Sequence, residues 1–123
     1  MTINEYQNAA LRTSRTYTQE QNAVYAGKVY DPDKLLEEGA MGLCGEAGEF
    51  IDLIKKWRFQ GHPLDAEHLI KELGDICWYL AIAATGIGVT LEYVMQKNID
   101  KLSERYPEGF EVERSVNRKE GDI

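Results

Sequence analysis

Apolar positions recur at helical spacing along most of this chain and rarely alternate. Placed at about 100° per residue, Leu36, Leu43, Phe50, Leu53, Ile54 and Trp57 fall in one sector of a continuous stretch. Leu69, Ile76, Leu80 and Ala83 do the same in the next stretch, and Leu91, Val94, Met95 and Leu102 in the one after. Stripes of this period are the core-facing sides of amphipathic helices. Clean strand-like alternation is confined to Phe110–Val116. The expected fold class is all-α, a helical bundle.

The punctuation agrees. Thr2 with Glu5 three residues on is a capping box, opening a first helix that reaches about Arg15. The polar run from Thr16 to Asn22 receives no assignment. Asp31-Pro32 is an N-cap followed by proline at the first helical position, so a second helix runs from there to about Phe59. Gln60-Gly61-His62-Pro63 is a turn. A third helix spans about Leu64 to Thr85 and ends at Gly86-Ile87-Gly88; Thr90 caps a fourth that stops before Pro107. No linker or repeat divides the chain, which reads as a single domain over 1–123 with its core at about 31–110 and a flexible tail at 111–123.

The apolar stripes carry acids. Glu46 lies inside the stripe of the second helix, with Glu49 on its edge; Glu72 lies inside that of the third, with Asp75 on its edge. Residues three apart are neighbours on a helix surface. Facing stripes would therefore gather four carboxylates. Such a gathering is unfavourable without a neutralising partner, and hard oxygen donors suit Mg²⁺ or Mn²⁺ better than zinc or iron. Taken singly, each acid reads equally as solvated surface, since charged residues are mostly exposed. The same pairing on two consecutive helices is what argues against that reading. On the fourth helix Asn98 interrupts the stripe, with Lys101 and Arg105 on the same side. They are suited to phosphate oxygens, or the two cations simply snorkel to water. Lys55 and Lys56 are open to the same two readings. Trp57, Phe59, Trp78 and Tyr79 are candidates for stacking on a base or for the core; Tyr79, one turn beyond Asp75, is favoured for stacking.

Composition narrows the classes. The 123 residues carry 14 Lys and Arg against 21 Asp and Glu, a formal charge of −7. So acidic a chain is ill suited to a nucleic-acid polymer. No apolar run reaches membrane-spanning length, and the first residues lack a secretory pattern, so the expected location is cytoplasmic. Cys44 and Cys77 are expected to be free, buried thiols. His62 and His68 lack zinc-finger companions, and Asp65-x-x-His68 has no second copy of the kind a di-iron bundle needs. Gly39, Gly42, Gly45 and Gly48 do not lead into a Gly-Lys-Ser/Thr phosphate loop. Their spacing within a helix, each costing about 1 kcal/mol relative to alanine, points to close helix approach.

These residues carry a family resemblance. Leu43-Cys44-Gly45-Glu46-Ala47-Gly48-Glu49-Phe50 and Lys55-Lys56 precede Glu72-Leu73-Gly74-Asp75, which leads into Trp78-Tyr79-Leu80-Ala81. The closing segment holds Asn98-Ile99-Asp100-Lys101-Leu102 and Arg105-Tyr106-Pro107-Glu108-Gly109-Phe110. Together they resemble the MazG-like all-α nucleoside triphosphate pyrophosphohydrolases, relatives of dimeric dUTPases and dCTPases. The family's metal motif is Glu-Glu-x-x-Glu followed later by Glu-x-x-Asp. Glu46, Glu49, Glu72 and Asp75 match it, whereas Gly45 stands at the first acid's position.

The resemblance implies a four-helix-bundle-like domain completed by assembly into a homodimer or homotetramer. It implies Mg²⁺, with Mn²⁺ as a substitute, on the four acids, and conversion of a (d)NTP to (d)NMP and pyrophosphate in pool control or house-cleaning. Lys56, Tyr79, Asn98, Lys101 and Arg105 are the expected substrate-binding side chains, and either Glu46 or Glu49 could take the proton of the attacking water. Two alternatives stand beside this: a catalytically weak nucleotide- or metal-binding regulator, and a purely structural helical partner.

Overall fold

A computed structural model describes residues 1–14, 23–25 and 28–123. The elements in chain order are α1 (Ile3–Leu11), β1 (Ala23–Tyr25), β2 (Lys28–Tyr30), α2 (Pro32–Phe59), α3 (Ala66–Gly86), α4 (Leu91–Arg105) and α5 (Val112–Val116). The fold is all-α. Its one departure among the described residues is a small antiparallel ladder, with Val24 opposite Val29. Strands of three residues are too short to leave a period in the sequence. The first helix ends at Leu11, short of the expected Arg15, with Arg12 as its C-cap; the unassigned run 16–22 lies outside the described residues.

The helix ends follow their capping chemistry. Thr2 and Glu5 form the reciprocal capping box of α1. Asp31 accepts from the backbone N–H groups of Asp33 and Lys34, with Pro32 behind it, and so starts α2. Asp65 accepts from His68 N at 3.0 Å, setting the start of α3 at Ala66. Asp65 is thus a helix cap.

Close approach fixes how α2 meets α3. A Cβ on Gly39 would lie 2.7 Å from that of Ala83, one on Gly42 would strike the Tyr79 ring, and one on Gly86 would meet the backbone of Leu36 and Pro32. Partners thus descend along α3 as they ascend along α2, so the helices form an antiparallel hairpin. The same register carried one turn further faces the Glu46–Glu49 segment with the Glu72–Asp75 segment. Gly45 and Gly48 have nothing within 4 Å of a built Cβ, so close approach explains only two of the four spaced glycines.

The core lies at the other end of the hairpin. Leu11, Tyr30, Leu35 and Ile82 form one buried cluster and Ala10, Ala81, Ala84 and Leu91 another. Gln7 is buried between elements: its amide donates to Thr85 Oγ1 at 2.9 Å and to the Val89 carbonyl at 3.2 Å, and it accepts from Leu91 N at 2.8 Å. Buried amides persist only with such partners. Trp78 Nε1 donates to the Ala10 carbonyl and to Thr13 Oγ1, which makes this ring a clasp on α1 and not a free stacking surface. Cys44 and Cys77 are free but exposed, contrary to the expectation of buried thiols.

The chain divides into two compact units, Met1–Leu91 and Glu92–Ile123. In the second, α4 ends where Pro107 follows Tyr106, and the Tyr106 and Phe110 rings lie 5.3 Å apart. The stretch 111–123, expected as a flexible tail, contains α5, and its last residues return to α4, where Asp122 pairs with Arg105.

Candidate metal centre

The acids converge as their helix positions require. Oxygens of Glu46, Glu72 and Asp75 lie within 4.8 Å of one another. Glu72, central in its stripe, is buried at 6% exposure; Glu46 is half-buried, and the edge residue Asp75 is exposed. Glu49 is exposed and stands outside this trio, yet close enough for its charge to act on Glu46.

Among the described residues, no lysine or arginine forms an ion pair with any of the four acids; the single nitrogen in reach is His68 Nε2, 3.0 Å from Glu72 Oε1. The Glu46 carboxyl is accordingly held above its ordinary value, first by burial, then by the charges of Glu49, Asp75 and Glu72, and by a side-chain hydrogen bond with Glu72. The donors are hard carboxylate oxygens without a thiolate, the set that suits Mg²⁺, Mn²⁺ or Ca²⁺. Crowded, partly desolvated and short of cations, these residues fit a divalent ion.

Tyr79 is beside the acids. Its hydroxyl pKa is raised by burial and by Glu46, Glu38 and Asp75, and its ring packs over Gly42. One face of the ring is therefore taken. Tyr6 approaches from α1, its hydroxyl 3.4 Å from the Gly74 carbonyl, and its pKa is raised by burial and then by Cys77 and Asp75. Tyr6 carried no chemical signal in the sequence, because its approach depends on how α1 packs.

The expected phosphate ligands are placed differently. Lys55 and Lys56 both pair with Asp52, at 2.6 and 2.7 Å, and hold its carboxyl down at about 2. Asn98, Lys101 and Arg105 follow one another on α4, in the second unit. There Arg105 Nε donates to Asp122 Oδ2 at 2.7 Å, and Lys101 Nζ lies 3.5 Å from the Ile123 carbonyl oxygen. The pair raises the Arg105 pKa and lowers that of Asp122.

The chain is thus an all-α protein whose antiparallel helical hairpin presents carboxylates from both arms. The comparisons name its family. Residues 36–110 match the MazG nucleotide pyrophosphohydrolase domain, and the chain belongs to that family. Over 93 residues it is also 39% identical to the Gene 37 protein of Mycobacterium phage L5, an alignment covering 71% of this chain and 81% of that protein. No solved structure gives a significant match. The family is one of hydrolases acting on nucleotides, generally with a divalent metal. Among the described residues, no single helix is long and apolar enough to cross a membrane.

Proposed function

We propose that this protein hydrolyses a nucleoside triphosphate to the monophosphate and pyrophosphate, with Mg²⁺ as its cofactor and Mn²⁺ able to substitute. The observation that carries the reading is the trio Glu46, Glu72 and Asp75, drawn from two helices with no lysine or arginine among the described residues paired to it. These residues, with Glu49, would hold the metal. When bound, such a metal polarises phosphoryl oxygens and lowers the pKa of a coordinated water.

The chain's own groups then have separate tasks. Glu46 or Glu49 accepts a proton from the attacking water, and general-base help of this kind is worth about 10²–10⁴ in rate. Asn98, Lys101 and Arg105 offer the amide and cationic donors that a triphosphate requires. For Arg105, a phosphate must replace Asp122, the anion that holds it in the free chain. Lys56 must likewise leave Asp52 to take part. Tyr79 is the candidate ring for stacking on a base.

A homodimer or homotetramer is part of the proposal. On α4 the stripe residues Val94, Met95 and Leu102 are exposed, as are Ile51 on α2 and Ile70 and Leu73 on α3. Exposed apolar side chains on three helices are what a second copy would cover. Incubation with the eight common NTPs and dNTPs, with and without EDTA, tests the activity. Metal-dependent release of pyrophosphate is the expected result; release of orthophosphate, or no turnover of any substrate, defeats it.

A further inference from the structure

Glu72 is the most buried acid of the centre, and a buried carboxylate needs a donor. The nearest nitrogen comes from its own helix. His68 lies one turn earlier on α3 and brings Nε2 to 3.0 Å from Glu72 Oε1. The imidazole itself is half exposed, so packing does not account for its placement. Its backbone is pinned, because the Asp65 cap accepts from His68 N at 3.0 Å in the first turn of α3. Nδ1 is 4.0 Å from Asp65 Oδ2, too far for a hydrogen bond, so the ring's short contact is to Glu72.

We propose that His68 is a positioning residue: it donates to the buried Glu72 carboxylate and fixes its plane for the divalent ion that the acids hold. The inference rests on the metal-centre reading above. A carboxylate free to rotate among repelling neighbours turns away from them. One oxygen held by an imidazole N–H restricts that rotation. Hydrogen-bond partners of metal ligands set orientation in this way, and losing one costs about 10–100-fold in metal affinity. The competing role is an ordinary i,i+4 contact that supports the helix by about 0.2–0.5 kcal/mol and leaves metal affinity untouched.

Mn²⁺ titration of the full chain without nucleotide, read by electron paramagnetic resonance, separates the two. His68→Phe keeps the ring shape and loses the donor; His68→Gln keeps a side-chain N–H. The Mn²⁺ dissociation constant should rise about 10–100-fold in His68→Phe and recover most of the loss in His68→Gln, with far-UV circular dichroism unchanged in both. In turnover, the metal-activation midpoint should shift in His68→Phe while the rate at saturating Mg²⁺ stays near that of the parent. Unchanged Mn²⁺ affinity in His68→Phe, or equal loss in both variants, overturns the assignment. Glu72→Gln and Asp75→Asn serve as references. If they weaken Mn²⁺ binding and His68→Phe does not, only the role of His68 falls. If neither weakens it, the metal-centre reading falls and takes this inference with it.

Discussion

The acid cluster of the first unit and the charges of the second are treated in opposite ways. On the α2–α3 hairpin, Glu46, Glu72 and Asp75 gather with no lysine or arginine paired to them among the described residues, and Glu46 is held above its ordinary value by burial and by its neighbours. On α4 and the segment after it, charges are matched within the chain: Arg105 with Asp122 and Arg114 with Glu111. Matched charges stabilise a fold, or at the surface cost little. Unmatched ones of like sign destabilise it. A chain that keeps like charges together at one place, while pairing opposite charges elsewhere, is what the proposed cation would require.

The largest effect should come from removing a ligand. Asp75→Asn or Glu49→Gln should lower turnover by about 10²–10³-fold or more, the scale of losing one group that stabilises developing charge, with helicity unchanged. Full activity in both would end the contrast between the units.

Next come the cations of α4. Lys101→Ala should cost about tenfold in kcat/KM, the loss of one charge-assisted hydrogen bond. Asp122→Asn should lower KM, because Arg105 is released from its internal anion. If Lys101→Ala is neutral and Asp122→Asn raises KM, the second unit's charges are structural only.

Acid separates the units by sign. The folded pKa of Glu46 exceeds its ordinary 4.5, so the metal-free fold carries no penalty below that value and loses stability as pH rises through the folded value. Glu46→Gln should therefore raise the melting temperature of the metal-free protein at neutral pH, and the gain should vanish below about pH 4.5. Asp122 is depressed below 3.8, so its contribution is complete above 3.8 and fades as pH falls through the folded value. Asp122→Asn should destabilise at neutral pH and converge with the parent in acid. Calorimetry at several pH values reads both, and equal signs would contradict the contrast.

The smallest effect concerns the glycines. Gly48 is exposed on α2 with nothing within 4 Å of a built Cβ. Gly48→Ala should stabilise the chain by about 1 kcal/mol, measured by urea unfolding. Gly42→Ala should instead destabilise it, since Tyr79 occupies that space.

Local chemistry fixed much of this protein in advance. Thr2 with Glu5, Asp31 with Pro32, and Pro107 act within a few residues, so helix ends at Ile3, Pro32 and Arg105 agree with the reading of the chain to within one or two positions. Period placed Glu46 and Glu72 on inward faces, because the angle between residues on one helix does not depend on what surrounds it. Tertiary structure decided the remainder. Gln7 finds partners near residues 85–91, Trp78 reaches back to Ala10, and Arg105 meets Asp122 across 17 positions. His68 is four residues from Glu72, a spacing visible in the chain, but spacing alone does not say which of its neighbours is buried and in need of a donor. Sequence sets the direction of each side chain about its own helix. Which directions meet, and hence which charges go unanswered, depends on the register between helices, and that is fixed by close contacts such as Gly39 on Ala83 that form only when the chain has folded.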